Sequence, residues 1–280
     1  MTSVSAKSMP VVLTVAGSDS GGGAGIQADL RAFQTWCIFG VTALTAVTAQ
    51  NPYGVRSIQA VEPGVLNDQV EAIFAAFDVS AAKTGMLFSR LHIEQTAEAF
   101  AKRPELPLVV DPVMVATSGA RLLQPDAVEA LTSHLLPLAT VITPNLAEAA
   151  ILLQRPALSI AEPEQARELS ERFGCAVLLK GGHGTAERSR DILWENGTGW
   201  CLESEVVADS KGAGHGTGCS LSAALAASLA CGEPLLESAR AAKAYVLGAL
   251  RQAVRVGEGV HAMWPAQISP LDAVTVREIS

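Results

Sequence analysis

Short apolar runs, each close to a strand in length, recur along the chain between stretches with helical character. They lie at 11–16, 41–48, 107–110, 140–143 and 175–179, with a further strand end at 81–85. Polar residues stand at or just past such run ends: Asp19, Gln50, Lys83, Asp111, Asn145, Glu148 and Lys180. Unbroken apolar runs suit strands buried on both faces, and strands alternating with helices imply βαβ units. The expected fold is therefore α/β, a mostly parallel central sheet with helices on both faces. In such sheets ligands sit beyond the carboxyl ends of the strands, so the polar residues are expected to converge on one crevice.

Between the runs, helices are expected at 24–39 (closed by Gly40), 63–77, 89–102, from about Pro125, from Pro144 as first helical residue, and at 163–173. Two more, from Gly216 and Pro234, are expected to finish the fold. A short extra strand is expected at 55–60. Segments 191–194 and 199–202 read as a hairpin on the Asn196-Gly197 turn. No linker or charge run divides the 280 residues, 49% of them hydrophobic, so the expected organisation is a tail at 1–10 and one domain at 11–280.

The net charge of −8 has no basic stripe to offset it, which argues against a nucleic acid or an anionic membrane as partner. No stretch reaches the roughly 18 apolar residues of a membrane span. The five cysteines, Cys37, Cys175, Cys201, Cys219 and Cys231, are scattered and form no C-x-x-C pair. That suits a reducing cytosol, and the apolar run behind the N-terminal tail is too short for a signal segment, so a cytoplasmic protein is expected.

The segment KGAGHGTGC at 211–219 runs directly into the small-residue helix SLSAALAASLA at 220–230. Gly212, Gly214, Gly216 and Gly218 permit tight turns and close backbone approach. The unpaired N–H groups at the helix start carry partial positive charge, so a phosphate can be held there by backbone. Cys219 in that field is expected to have a lowered pKa and to be available as thiolate near neutral pH. The plainer reading is a loop followed by a helix, with Cys219 as a small buried apolar residue.

Asp111 and the Asn145-x-x-Glu148 spacing offer hard oxygen donors suited to Mg²⁺, which relies on few protein ligands plus phosphates. Equally, Glu148 could be a helix-capping acid and Asp111 a turn former. Lys180 could reach a transferring phosphoryl group or be a solvated strand-end charge. His183 and His215 lie in glycine-rich loops where phosphate contact and simple exposure are both open. Gln50 can give a heteroaromatic ring a donor and an acceptor, with Met86 covering the ring or filling the core. Together these parts meet the demands of phosphoryl transfer: positioning, metal and positive charge. No Walker loop is present. The G-x-G-x-x-A match at 23–28 lacks its acidic partner, since no Asp or Glu falls between Asp29 and Glu62.

Seven segments carry a resemblance: AGSDSGGGAGIQADL at 16–30, TAVTAQN at 45–51, KTGML at 83–87, VVDPVM at 109–114, TPNLAE at 143–148, LKGGH at 179–183 and HGTGC at 215–219. In order and spacing the chain resembles, from about residue 11 to 250, the hydroxymethylpyrimidine/phosphomethylpyrimidine kinases of thiamine biosynthesis, of the ribokinase-like superfamily. The resemblance implies a ribokinase-like three-layer sandwich and a homodimer. It implies use of ATP and Mg²⁺ to phosphorylate 4-amino-5-hydroxymethyl-2-methylpyrimidine and then its monophosphate. Gln50 would bind the aminopyrimidine, with Ala24 and Met86 lining its pocket and Asp19 beside them. Cys219, standing where most of the superfamily has aspartate, would be the base, and Lys180 would touch phosphate. Gly216, Thr217, Gly218, His215, Asn145 and Glu148 would meet the nucleotide, and Asp111 and Glu148 the metal. Two departures stand out: Lys211-Gly-Ala-Gly before His215 where the family has Asn-Thr, and Gln50-Asn51-Pro52 where it has Gln-Asn-Thr. They bear on the second phosphorylation and leave a pyridoxine/pyridoxal kinase as the alternative. A ligand sensor without catalysis is the reading from another class.

Overall fold

The computed structural model describes residues 9–114, 122–124, 126–182, 188–207, 212–264 and 268–279. The apolar runs become strands of one sheet: β1 (Val11–Asp19), β2 (Phe39–Asn51), β3 (Gly54–Ala60), β4 (Val79–Thr84), β5 (Leu108–Val110), β6 (Val141–Ile142), β7 (Ala176–Lys180), β8 (Arg188–Glu195) and β9 (Thr198–Glu205). A small hairpin of β10 (Val254–Gly257) and β11 (Val260–Ala262) stands apart, and β12 (Thr275–Ile279) returns to the main sheet. The order across the sheet is β12-β9-β8-β7-β6-β5-β4-β1-β2-β3. The central strands from β2 to β7 run parallel, and antiparallel β3, β8, β9 and β12 extend the two margins.

The helices are α1 (Gly25–Thr35), α2 (Pro63–Ala76), α3 (Arg90–Ala101), α4 (Ala127–Ala130), α5 (Leu146–Leu153), α6 (Pro163–Phe173), α7 (Thr217–Ala230) and α8 (Leu235–Arg251). Strand alternation sorts them into two layers. Leu13, Ala82, Leu108, Val110, Val177 and Leu179 face one way and pack with Leu66 of α2, Ile93 of α3, Leu152 of α5 and Leu169 of α6. Their neighbours Val12, Ala81, Val109 and Leu178 face the other way, against Phe33 of α1, Leu225 of α7 and Tyr245 of α8. Helix α7 is almost wholly buried, and its run of Ala and Ser lets it lie close to the sheet. Among the described residues no helix is long and apolar enough to cross a membrane.

Several expectations need correction. Helix α1 stops four residues short of the expected 39, because Cys37 takes the left-handed conformation (φ 55°) and the chain turns into β2. Gly40 is therefore a strand residue, not a helix cap. A side chain there would meet Leu30 and Phe33 at 2.6 and 2.8 Å, so its smallness lets α1 settle on the sheet. Pro144 precedes α5 rather than opening it; Asn145 is the N-cap. The helix expected from about Pro125, a residue outside the described set, has a single α turn that passes into a π turn at Leu131–Leu135. Helix α8 does not finish the fold, since β10 to β12 follow it. The Asn196-Gly197 turn forms as expected, both residues at positive φ (50° and 80°), joining β8 to β9.

Leu13 is fully buried between β1's neighbours and the α2/α3 layer. Leu13→Ala is expected to lower unfolding free energy by about 2–5 kcal/mol, seen as a lower urea midpoint at unchanged slope.

Candidate active site

The parallel strands deliver their terminal polar residues to one edge of the sheet. Asp111, directly after β5, is the hub: its Oδ1 accepts from Lys180 Nζ at 2.8 Å and from Thr143 Oγ1 at 3.1 Å, and Ser222 Oγ of α7 stands 3.2 Å from Oδ2. Burial would raise its pKa, but Lys180 and Lys83 hold the carboxyl below its ordinary value. Asp111 serves as the counter-ion of Lys180 through Oδ1, while Oδ2 keeps lone pairs free, since the single Ser222 hydroxyl proton is also within reach of the Gly218 and Cys219 carbonyls. Lys180 is itself largely buried, so its ammonium is aimed at the crevice rather than at bulk solvent.

Helix α7 begins at this hub. Its N-cap, Gly216, sits at φ 84°, and neither a side-chain cap nor an acidic first turn occupies the start of the helix. A Cβ on Gly218 would lie 3.2 Å from Lys180 Nζ. An anion at the first turn would thus meet backbone amides and Lys180 together, the arrangement expected for the anion hole.

Cys219, in that first turn, departs from expectation. It is half-buried and lines both cavities, and desolvation pushes the thiol up to about 11 against the pull of Lys83, with Asp29 and Asp111 adding to the rise. At that value the resting group near neutral pH is a thiol.

Asn145 and Glu148 form a capping box: Glu148 N donates to Asn145 Oδ1 and Asn145 N to Glu148 Oε2, both at 2.9 Å. Glu148 nonetheless lines the large cavity. Burial pushes its pKa up to about 7, Lys180 opposing and Asp111 reinforcing. A buried carboxyl under-compensated for charge fits a site that receives a cation with its ligand. One carboxylate beside incoming phosphates suits Mg²⁺.

Two cavities meet here. The larger, about 280 Å³, is lined by Asn145, Glu148, Lys180, His215, Gly216, Thr217 and Gly218 among others. The smaller, about 50 Å³, is lined by Asp19, Thr48, Gln50, Lys83, Met86 and neighbours. Both touch Ala24, Gln50 and Cys219. Met86 lies against Gly17, where a Cβ would be 2.4 Å from its Cε. Asp19 spends its oxygens on its own loop, accepting from Gly21, Gly23 and Ala24 amides at 2.8, 3.1 and 2.9 Å. Burial would raise it, but His215 and the Ala24 and Gly21 amides hold it below the ordinary carboxylate value. His215, expected on the nucleotide, places Nε2 at 2.9 Å from Asp19 Oδ2 and 3.3 Å from Gln50 Nε2. His183 lies outside the described residues.

A family model described as phosphomethylpyrimidine kinase matches residues 19–264. The chain belongs to the phosphomethylpyrimidine kinase family. It is 47% identical over 257 residues to a hydroxymethylpyrimidine/phosphomethylpyrimidine kinase of Rhizobium meliloti, covering 89% of this chain and 94% of that one. It is 44% identical over 252 residues to the thiamine biosynthesis bifunctional protein ThiED of Geobacter sulfurreducens, covering 89% of this chain and 50% of the relative. Its structure is similar to that of the pyridoxal kinase from Staphylococcus aureus in complex with AMP-PCP and pyridoxal: TM-score 0.87, 32% identity, 98% of this chain and 100% of that one. The ribokinase-like three-layer sandwich expected from the sequence is the architecture found.

Beside the family's motif residues stand two buried ion pairs that sequence reasoning missed. Lys83, at the wall of the small cavity, spends its ammonium on both oxygens of Asp29 in α1 at 2.9 Å, and Thr14 Oγ1 adds a third bond at 2.6 Å. Lys243 of α8 donates to Asp191 Oδ2 at 2.7 Å, while Asp191 Oδ1 accepts from Gly181 N at 2.9 Å, fixing the turn after Lys180. A lone lysine within the Ala-rich stretch of α8 was the available signal.

Glu148 carries a pH prediction. Its folded value of about 7 lies above the ordinary 4.5, so between these the folded state keeps a proton that the unfolded chain releases. Stability is then lost as pH rises through that window. Glu148→Gln, which retains an acceptor for the capping box, should gain stability relative to the unsubstituted chain between about pH 4.5 and 7. Parallel urea midpoints across that range would refute the shift.

Proposed function

We propose that the chain transfers the γ-phosphoryl group of ATP to the hydroxymethyl oxygen of 4-amino-5-hydroxymethyl-2-methylpyrimidine, and then a second phosphoryl group to the monophosphate, within thiamine biosynthesis. The observation that carries this reading is the meeting of a small cavity headed by Gln50 with a large one headed by Lys180 and the α7 first turn, at Cys219. The acceptor ring occupies the small cavity, between the Gln50 amide and Met86. The nucleotide occupies the large one. The acceptor oxygen forms a bond to phosphorus as the bond to the ADP oxygen breaks, and the hydroxyl proton passes to the Cys219 sulfur, which has first lost its own proton to solvent and acts from its thiolate form. Lys180 and the amides of Gly218 and Cys219 carry the charge of the moving group.

Glu148 and Asp111, which both line the large cavity, are the residues that would hold Mg²⁺, which supplies charge neutralisation at the phosphate oxygens. A loose transition state needs little proton removal before the new bond forms, so the small thiolate fraction present near neutral pH can serve as the acceptor. The structural likeness to a pyridoxal kinase favours pyridoxal as the second reading. We also propose a cytoplasmic homodimer. The exposed Val47 and Tyr53 beside edge strand β3 offer one apolar face for it, and sedimentation velocity returning a monomer at micromolar concentration would remove the dimer.

Phosphorus NMR of the protein with Mg-ATP and the pyrimidine should show monophosphate and then diphosphate; consumption of pyridoxal alone would give the second reading. Cys219→Ala should cut turnover by roughly 10²–10⁴-fold. If sulfur takes the proton, kcat/KM should still be climbing above about pH 8, because the free thiol titrates near 11. A profile flat from neutral pH upward would remove Cys219 as base.

A further inference from the structure

The contacts of Asp19, His215, Gln50 and Thr48 admit one arrangement of protons. Asp19 Oδ2 already accepts two backbone amides and stands 2.9 Å from His215 Nε2. A carboxylate only accepts, so Nε2 carries the imidazole proton. Gln50 Nε2 then faces a donor at 3.3 Å, and two donors do not bond. At the other end of the amide, Thr48 Oγ1 lies 3.0 Å from Ser18 O and 3.2 Å from Gln50 Oε1. The Ser18 carbonyl can only accept, so it takes the single hydroxyl proton, and Thr48 has lone pairs left to offer. A half-turn of the amide about its last bond, which exchanges O and N in place, removes the donor–donor clash: the Nε2–H, given chiefly to Asp19, is shared at 3.3 Å with the amide oxygen, and an NH₂ hydrogen faces Thr48.

We infer that His215, locked by Asp19, is a positioning residue that holds the Gln50 amide with its oxygen toward the imidazole and its NH₂ toward Thr48, and so selects rings presenting a ring nitrogen beside an exocyclic amine. This rests on the proposed pyrimidine reading. In that pyrimidine the amine is adjacent to the reacting hydroxymethyl group and the ring nitrogen lies one position farther away. His215 belongs to the loop that carries Cys219, so the oxygen end of the amide is the end on the reacting side, where the amine arrives. Pyridoxal has no amine to give that oxygen. The fixed amide therefore discriminates between the two vitamin rings by which partner is left unpaired.

The test has two arms. In the unliganded protein, long-range ¹H–¹⁵N correlation of the His215 ring should report Nε2–H; an Nδ1–H tautomer overturns the inference whatever the substrate is. For turnover, His215→Ala should lower kcat/KM for the pyrimidine by roughly tenfold, the value of one oriented hydrogen bond, mainly through KM, while that for pyridoxal changes far less. His215→Gln, whose amide can donate to Asp19, should recover part of the discrimination. Equal losses on both rings, or a change confined to the KM for ATP, would return His215 to the phosphate side and overturn the inference. If the unsubstituted chain phosphorylates no pyrimidine, the proposed function fails by itself. The tautomer, and the response of the Gln50 side-chain NH₂ resonances to His215→Ala, still decide the positioning role.

Discussion

The site depends on how closely two loops approach. A Cβ on Gly216 would fall 1.8 Å from the carbonyl oxygen of Gly23 and 3.2 Å from the Cα of Ala24. Gly216 also holds a positive φ of 84°, so the position is closed to other residues on two independent grounds. Through that contact the start of α7 abuts the loop that opens α1, and everything the reaction uses is arranged around the seam. Asp19 knots the α1 loop by three amides, and His215 reaches across from the α7 loop to the same carboxylate. Gln50 and Cys219 then face a common space, though 169 positions apart in the chain (219 − 50).

Around the seam the protein places three buried acid–base pairs: Asp29 with Lys83, Asp111 with Lys180, and Asp191 with Lys243. Each joins two different elements: α1 to β4, the end of β5 to β7, and β8 to α8. Burying such pairs costs desolvation that their attraction roughly repays, so they are weak contributors to stability. What they supply is position. Lys180 and the turn after it are held from both sides, by Asp111 and through Asp191 at Gly181, and the ammonium cannot swing away from the α7 first turn.

The layered fold was legible because it is written in short-range patterns. Val12 and Leu13, or Leu178 and Leu179, are both buried yet face opposite helix layers, which is why these strands read as unbroken apolar runs. The crevice was legible for the same reason, since strand ends are visible in the sequence. The C-terminal strand was not: TVREI alternates, but β12 is a sheet margin exposed over most of its length, and only its pairing with β9 makes it a strand. The ion pairs were illegible for a different reason. Nothing local marks Asp29 as the partner of Lys83, 54 positions away. The same blindness produced the wrong expectation for Cys219: its helix end is a local feature, while the burial and the Asp29 and Asp111 carboxylates that outweigh it come from elsewhere in the chain.

Cys219 and Glu148 share one electrostatic condition. Each is a proton-bearing group kept toward its neutral form by burial, the thiol near 11 and the carboxyl near 7, within reach of lysines already committed to aspartates. Neither lysine pair has charge to spare, because Lys180 answers Asp111 and Lys83 answers Asp29. The crevice is thus near neutrality in its interior despite the number of ionisable groups in it. A cation arriving with a nucleotide would change this for Glu148, favouring its charged form, whereas the phosphates beside Cys219 would favour the protonated sulfur and keep the thiolate that takes the hydroxyl proton a minor form. Burial therefore separates the two groups in function. The same desolvation that leaves Glu148 poised near neutral pH places Cys219 well above it, so binding changes the charge of Glu148 while Cys219 is ionised in only a small fraction of molecules.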